Sequence, residues 1–510
     1  MTLARHWLFL AVCLGGCLLP GRLLAADSQE LTCRQFLGEA LGQDPEFNRA
    51  LHTYLQAKYA VLSTRAMSDL TLGAAAGWVH TESTSGVVFE PQTIDTLSYQ
   101  VSLQKLFLES GTRLKLAHEN GLTDLGYNVD PALAAAFGGA FDLAAETSQP
   151  VFRVSLVQPL LKNAFGLAER FPVVSAELQR QAAELDAREA WEKRLAELYG
   201  AYFDWVAAYE NVAALREIVS ELKRLEEQVG RKVRSGVAER TDLLRTRDNV
   251  LNFQGQLSQA EGALLNATRD IACLRAGRPE TDPGKLAIRP DLAAAAPDCV
   301  LLEDGTAEAE VNRLRLLRKL ELALRQVEER EFVANNSSLP QMDLVGDVAW
   351  KGRSDDKQGG YDQVNRRDYS VFLQASYPLG GMQAGGDEGQ ARSGREELHA
   401  GLAATRQTLA LALVQMAENI RRFRDVEQLQ QEQVRNAEEK LALDERNYRI
   451  GRLDTFYLID AQNALTSARL NLVRTQIQLK RLQLEYLSLS DRLLSGFPEL
   501  EARLSRSQGE

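Results

Sequence analysis

The chain contains 510 residues, a length typical of two or three ordinary domains, and its 59 Lys and Arg against 70 Asp and Glu give a net charge of −11. This negative balance disfavours nucleic acid as a partner, because phosphate binding requires a basic face. The five Met and five His argue against a dedicated soft-metal pathway, and the chain contains no GxSxG or HExxH motif. We therefore expect no catalytic residues, no metal ligands and no cofactor.

The first 26 residues predict an export signal. Arg5 and His6 precede an apolar run from Leu8 to Leu19, which is too short to span a bilayer, and Leu24-Ala25-Ala26 fits a signal-peptidase site. The alternative is lipidation of Cys17, because Leu14-Gly15-Gly16-Cys17 fits a lipobox. Both alternatives predict export. No later run of about 20 apolar residues occurs, so a membrane crossing requires β-strands.

Three cysteines lie beyond the signal, at Cys33, Cys273 and Cys299. Export permits disulfides, and a Cys273–Cys299 bridge across the linker stays open at this stage. Because three is odd, at least one thiol is unpaired within a single chain.

The mature sequence is duplicated, since two halves repeat short helices, strands and long helices in the same order. The first half predicts N-terminal periplasmic helices at 27–68, strands and extracellular loops at 69–165, and a long helical hairpin at 166–275. A linker rich in Pro, Gly and Ala follows at 276–302. The second half predicts periplasmic helices at 303–339, strands and a loop at 340–386, a long helical hairpin at 387–495, and a C-terminal tail at 496–510.

Alternation of apolar and polar residues with period two predicts five strands, near 70–78, 98–104, 152–156, 342–351 and 369–377. The strand pattern alone fits either a membrane barrel or a soluble sandwich, and the export signal and the flanking coiled coils favour the barrel. Residues 118–149 and 353–368 are predicted to be surface loops. An extra hairpin near Leu103–Leu116 either extends the barrel strands or folds outside them.

The long helices show a heptad seam that runs from Leu465 to Leu493 at spacings of three and four, which is typical of a coiled coil. A helix over 168–233 would be about 100 Å long. Each helical pair is interrupted once, at Gly236 and at Gly451, 215 residues apart. Glycine is the usual residue where a helix ends in the left-handed conformation, and we expect Thr241 and Asp454 to cap the returning helices.

The chain resembles the TolC family of outer-membrane efflux and secretion proteins over nearly its whole mature length. The segment Tyr448-x-x-Gly451-x-x-x-x-x-Tyr457-Leu458-x-Asp460-Ala461-Gln462-Asn463-x-Leu465 is similar to the second helical tip of that family. Phe152-x-Val154-x-Leu156-x-Gln158-Pro159-Leu160-Leu161 and Tyr377-Pro378-Leu379-Gly380-Gly381 are similar to its entries from strand to helix.

The resemblance implies an α+β membrane protein in which a long antiparallel α-helical coiled-coil tunnel joins transmembrane β-barrel strands in duplicated halves. It implies a homotrimer in which each chain gives four strands to a twelve-stranded barrel. The location would be the outer membrane of a Gram-negative bacterium, with a large periplasmic part. The implied role is a passive channel for tripartite efflux or type I secretion, with a periplasmic adaptor (membrane fusion) protein and an inner-membrane pump of the RND, ABC or MFS class as partners. A non-conducting structural coiled-coil protein is the alternative.

The family closes its channel at the helical tips, through hydrogen bonds, ion pairs and a ring of carboxylates. The resemblance implies gate or selectivity roles for Asp242, Tyr448 and Asp460. Arg452 and Asp454 are candidate replacements for the charged gate residues that the family prototype carries where this chain has Leu453 and Tyr457. As ordinary alternatives, the acids stabilise helix N-termini and Tyr448 packs in the seam. The tips expected to dock the adaptor are marked by Gly236, Leu243, Gly451 and Leu458.

Overall fold

The computed structural model describes residues 29–83, 90–127, 146–279, 287–291, 299, 301, 307–355 and 359–509. The expected export signal and Cys17 lie outside the described residues. The chain divides into two compact units. We call one the helical unit (Met1–Leu51, Ala187–Leu314 and Gln407–Glu510) and the other the sheet unit (His52–Asp186 and Arg315–Arg406).

The described elements follow the duplicated order that the sequence predicts. In chain order they are β1 (Gln29–Leu31), α1 (Cys33–Gln43), α2 (Pro45–Arg65), β2 (Thr71–Glu82), β3 (Thr93–Phe107), β4 (Thr112–Gly126), β5 (Glu146–Pro159), α3 (Leu167–Arg234), α4 (Arg240–Ala276), β6 (Ile288–Pro290), α5 (Ala307–Val311), α6 (Arg315–Ser337), β7 (Gln341–Lys351), β8 (Arg366–Ser376), α7 (Met382–Arg449), α8 (Thr455–Leu489) and α9 (Pro498–Gly509).

The sheet unit contains one six-stranded antiparallel sheet, in the order β2-β3-β4-β5-β7-β8. One row of paired residues crosses all six strands and is apolar throughout. Residues that pair directly across neighbouring strands lie on the same face of the sheet, so this row marks one apolar face. This row consists of Leu72, Leu103, Leu116, Val154, Val348 and Tyr369.

The structure corrects two expectations about the strands. The predicted surface loop from 118 to 149 is wrong over residues 118–126, which belong to β4, and over 146–149, which belong to β5, while 128–145 lie outside the described residues. Polar His118 and Asn120 occupy positions on the apolar face of β4 and thereby hide its alternation. The four strands per chain implied by the resemblance are also wrong for this chain, because the extra hairpin is β3 and β4 of the same sheet.

The long helices agree closely with the sequence prediction. α3 and α7 each span 68 residues, and the returning helices α4 and α8 span 37 and 35. Among the described residues, no helix combines the length and apolarity needed to cross a membrane.

Aromatic side chains fill the core of the helical unit where the N-terminal segment meets α3. Buried Tyr202 donates a hydrogen bond to the carbonyl oxygen of Leu31 at 2.8 Å, and the Trp191 indole donates to that of Phe47 at 3.0 Å. Next to Leu31, β1 pairs in parallel with β6. These bonds satisfy the polar atoms of large buried rings, so the N-terminal segment is fixed against the long helix.

All three cysteines outside the export signal are free thiols, so the structure contains no Cys273–Cys299 bridge. Burial raises the pKa of the Cys33 thiol to about 12 and also raises the pKa of Cys299. A thiol kept protonated in this way is a poor nucleophile.

Candidate functional site: the two helical tips

The two hairpins turn through the same backbone geometry. After α3, the amide of Gly236 donates to Val233 O at 3.1 Å and that of Val237 to Lys232 O at 2.9 Å; Gly236 has φ of 74°. This is the Schellman pattern of helix ends. After α7, Gly451 has φ of 75° and Arg452 donates to Asn447 O at 2.9 Å, which repeats the pattern 215 residues later. The positive φ predicted at both glycines is confirmed.

The two returning helices begin differently. Asp454 is the N-cap of α8, and its carboxylate accepts a hydrogen bond from the amide of Phe456 at 3.0 Å, so its predicted capping role is confirmed. The predicted cap at Thr241 is wrong, because Glu239 occupies the N-cap of α4 and makes no side-chain capping bond. Thr241 instead lies in the first turn and donates to the Glu239 carboxylate at 3.0 Å.

An apolar cluster packs the two tips against each other within one chain. Leu243 and Val233 lie partly buried beside it. We call it the tip cluster; its members are Leu225 and Val229 of α3, Leu441 and Tyr448 of α7, and Leu458, Ile459, Ala461 and Leu465 of α8. Leu243 and Leu458, which the sequence placed at the tips, therefore hold the turns together with their side chains.

Lys232 and Tyr448 make a polar contact between the tips. The Lys232 ammonium lies 3.3 Å from the centre of the Tyr448 ring and donates to the Tyr448 carbonyl oxygen at 3.2 Å. The Tyr448 side chain is only 3% exposed, and its hydroxyl has no hydrogen-bond partner in the described part of the chain. This burial agrees with the alternative in which Tyr448 packs in the helical seam.

The other predicted gate residues lie at the surface of the tips. Asp242 is half-buried in the first turn of α4, and Arg452 is exposed. Asp460 is 64% exposed, with its nearest cation, Lys440, at 3.9 Å. Within the described residues, no hydrogen bond or ion pair joins any two of Asp242, Tyr448, Arg452, Asp454 and Asp460.

A groove of about 490 Å³ lies between α4 and α8 just behind the tips. Two of its lining residues are hydrogen-bonded, since Asn249 donates to the Asn463 side chain at 3.1 Å, and the Arg245 guanidinium lies 5.6 Å from the centre of the Phe456 ring. The complete lining is Arg245, Asp248, Asn249, Asn252, Phe456, Ile459, Asp460 and Asn463. A cation and two carboxylates thus share one open groove.

Of the charged residues that line this groove, the sequence predicts a site role for Asp460 and none for Arg245. The signal was present, because the 215-residue offset makes Arg245 the repeat counterpart of Asp460. The two side chains carry opposite charges, so a comparison of the repeats for identical residues passes over the pair.

Residues 146–274 and 307–486 match the family model described as outer membrane efflux protein. The chain belongs to this family. The matched residues include both tips and nearly all of both long helical hairpins. No curated sequence relative matches the chain.

Solved structures of outer-membrane channels share the fold. CusC matches with a TM-score of 0.65 and 13% identity over 90% of this chain and 91% of CusC. VceC from Vibrio cholerae matches with a TM-score of 0.62 and 14% identity, over 90% of this chain and 96% of VceC. The open state of MtrE from Neisseria gonorrhoeae matches with a TM-score of 0.63 and 17% identity, over 90% of this chain and 89% of MtrE.

Family membership and the shared fold confirm the fold class and location predicted from the sequence. The protein is an outer-membrane channel of this family with a helical tunnel, barrel strands and a large periplasmic part. Its family consists of transport proteins, so the expectation that the chain is not an enzyme is also confirmed.

Proposed function

We propose that this chain is the passive conduit of a tripartite efflux or type I secretion system in a Gram-negative bacterium, and that it opens and closes at its periplasmic helical tips. The pair of tips carries the proposal, since two turns of the same geometry pack against each other within one chain. Membership of the outer membrane efflux protein family supports the proposal that the chain forms a conduit.

The proposed gate is completed by symmetry. In a homotrimer, each acid of one chain recurs three times around the channel axis, so the exposed Asp460 and the half-buried Asp242 would each form a ring of three carboxylates. Such rings concentrate cations at a constriction. The exposed Arg452 is available to an acid of a neighbouring chain, whereas Asp454 is engaged in capping α8.

The proposed partner at the tips is a periplasmic adaptor, with an inner-membrane pump of the RND, ABC or MFS class supplying the energy. The turn residue Val237 is 74% exposed, and Ile450 and Tyr457 are each 58% exposed. Exposed apolar side chains grouped at a helical turn are typical of a protein interaction surface. Gly236 and Gly451 form the two turns that carry this surface, and Leu243 and Leu458 pack in or beside the tip cluster that holds the turns together.

Planar-bilayer conductance of the purified protein tests the proposal, with Asp460→Ala beside the wild type. Asp425→Ala is the matched control, because it removes another exposed acid, on α7 and remote from the tip. We expect discrete, cation-selective conductance steps whose selectivity falls in Asp460→Ala and stays unchanged in Asp425→Ala.

Equal selectivity in all three proteins would remove Asp460 from the gate while leaving the conduit intact. An absence of conductance, including from a variant in which Lys232→Met breaks the contact between the tips, would overturn the conduit and favour a non-conducting coiled-coil protein.

A further inference from the structure

The hairpin formed by β3 and β4 is a full part of the sheet. β3 pairs with β2 from Thr93 to Gln104 and with β4 along its whole length, while β4 pairs with β5 from Arg113 to Asp124. Both strands contain 15 residues, against 14 in β5 and 12 in β2. The hairpin therefore runs the full height of its neighbours.

The two faces of the sheet continue through the hairpin without a change of register. Next to the apolar row through Leu103 and Leu116 lies a row that is polar on all six strands. It consists of Thr71, Gln104, Lys115, Ser155, Asp347 and Ser370. Since membrane barrels alternate between a lipid face and a lumen face, β3 and β4 have the pattern of wall strands.

The turn of the hairpin is anchored at the end of the sheet where α3 begins. Gln158, near the end of β5, donates to the Ser110 carbonyl oxygen in the turn at 3.1 Å, and Lys105 donates to the Ser68 carbonyl oxygen ahead of β2. Gly111 has φ of 70° and packs so close to Gly166 that a Cβ on Gly111 would lie 3.1 Å from the Gly166 Cα. These contacts fix the turn within the wall.

From this geometry we infer that β3 and β4 widen the pore, and that a homotrimer closes a barrel of eighteen strands, three times the six of one chain. The inference rests on the homotrimer of the proposed function. An open strand edge is not tolerated in lipid, so β2 and β8 require partners there. In an antiparallel sheet with an even number of strands, the two edge strands run in opposite directions. β8 of one copy therefore runs antiparallel to β2 of the next copy, and the barrel closes with antiparallel pairing throughout.

Strand number sets the width of such a wall. Barrel diameter grows roughly linearly with strand number, so eighteen strands give about 1.5 times the diameter of twelve, and walls of this size leave an aqueous channel. The lumen face carries hydroxyl, amide and charged side chains such as Gln104, Lys115 and Asp347. The barrel therefore admits bulky, hydrated polar cargo, and size selection is left to the helical tips.

Cryo-electron microscopy of the purified full-length protein tests the inference directly, through the number of strands in the barrel. A deletion variant that lacks residues 93–126 is the comparison. The deletion brings β2 next to β5, which are antiparallel, so four strands per chain are expected to pair as a continuous sheet. We expect eighteen strands in the wild type, and a barrel diameter about 1.5 times that of the variant.

Polymer exclusion supplies a second readout that does not depend on imaging. Polyethylene glycols of increasing size are added on the extracellular side, and the largest one that lowers conductance marks the barrel width; we expect a larger limit for the wild type than for the deletion variant. Twelve strands, or the same polymer limit in both proteins, would overturn the inference and leave the conduit intact. A particle with no closed pore would overturn the proposed function itself.

Discussion

At the scale of one residue, the burial of Tyr448 limits the part that its side chain can play in a gate at the tip. Its ring is enclosed by the tip cluster and covered by Lys232, so the side chain is a structural part of the turn. A phenol hydroxyl that is buried without a partner costs desolvation free energy. The same hydroxyl would gain a bond if another chain of the assembly supplied an acceptor, which is what a gate role requires.

Tyr448→Phe separates these two roles. If the ring only packs, the variant loses no bond and its stability is unchanged or higher by up to about 1 kcal/mol, whereas Tyr448→Ala costs about 3–5 kcal/mol through its cavity. Thermal unfolding followed by circular dichroism on the purified protein measures both. A loss above about 1 kcal/mol in Tyr448→Phe would contradict simple packing and show that the assembled protein uses the hydroxyl.

Glu210 of α3 predicts a pH dependence. Burial raises its pKa, although the nearby Lys480 charge opposes the shift. The folded state therefore holds this proton to a higher pH than the unfolded state does, and the stability gained from it is lost as pH rises through the folded pKa. We expect Glu210→Gln to unfold at a higher temperature than the wild type at pH 7, with a smaller difference at pH 4. Glu485→Gln, at an exposed position, is the control, and an equal gain at both pH values would refute the prediction.

At the scale of the element, the two turns need glycine for their backbone and not for space. A Cβ on Gly451 would meet no atom within 4 Å, so the cost of a side chain there comes from its positive φ alone. Gly262, inside α4, is also exposed and unobstructed but is helical. The chain thus offers the same substitution in two backbone conformations.

Gly451→Ala is expected to destabilise the protein by about 1 kcal/mol, because an L residue in the left-handed region costs about 1–2 kcal/mol. Gly262→Ala is expected to stabilise it by about 0.5–1 kcal/mol through higher helix propensity. Thermal unfolding of the two variants is the measurement. The same sign in both would show that the turn at Gly451 relaxes to another conformation.

The helices were more predictable than the strands, for a physical reason. A heptad seam repeats over many turns, so a single polar residue does not conceal it, and the expected helix at 168–233 agrees with Leu167–Arg234. A strand offers only a few alternations. In β4, two polar residues on the apolar face are enough to hide the pattern, so the sequence predicts a loop where the structure has a strand.

At the scale of the whole molecule, the duplication predicted where the tips lie but not how they meet. The glycines, the cap at Asp454 and the family motif were all visible in the sequence. The contact of Lys232 with Tyr448 and the groove behind the tips depend on how the two hairpins pack, and no local pattern encodes that packing. Whether the predicted gate residues act together stays a prediction, because their expected partners belong to neighbouring chains.

Arg245 and Asp460 place opposite charges in the groove behind the tips. If ions pass near the tips, a cation there repels other cations and partly offsets the acids. We therefore expect Arg245→Ala to raise the cation-to-anion permeability ratio, measured by reversal potentials in a salt gradient, while Asp460→Ala lowers it.

The double variant Arg245→Ala with Asp460→Ala, whose net charge equals that of the wild type, should restore most of the original ratio. Both shifts should shrink at high salt, because screening shortens the reach of exposed charges. Arg269→Ala, which removes an exposed cation near the other end of α4, far from the turn, is the matched control and should leave the ratio unchanged. If Arg245→Ala also left it unchanged, the groove would lie away from the ion path, and the acids of the tips would have to act without it.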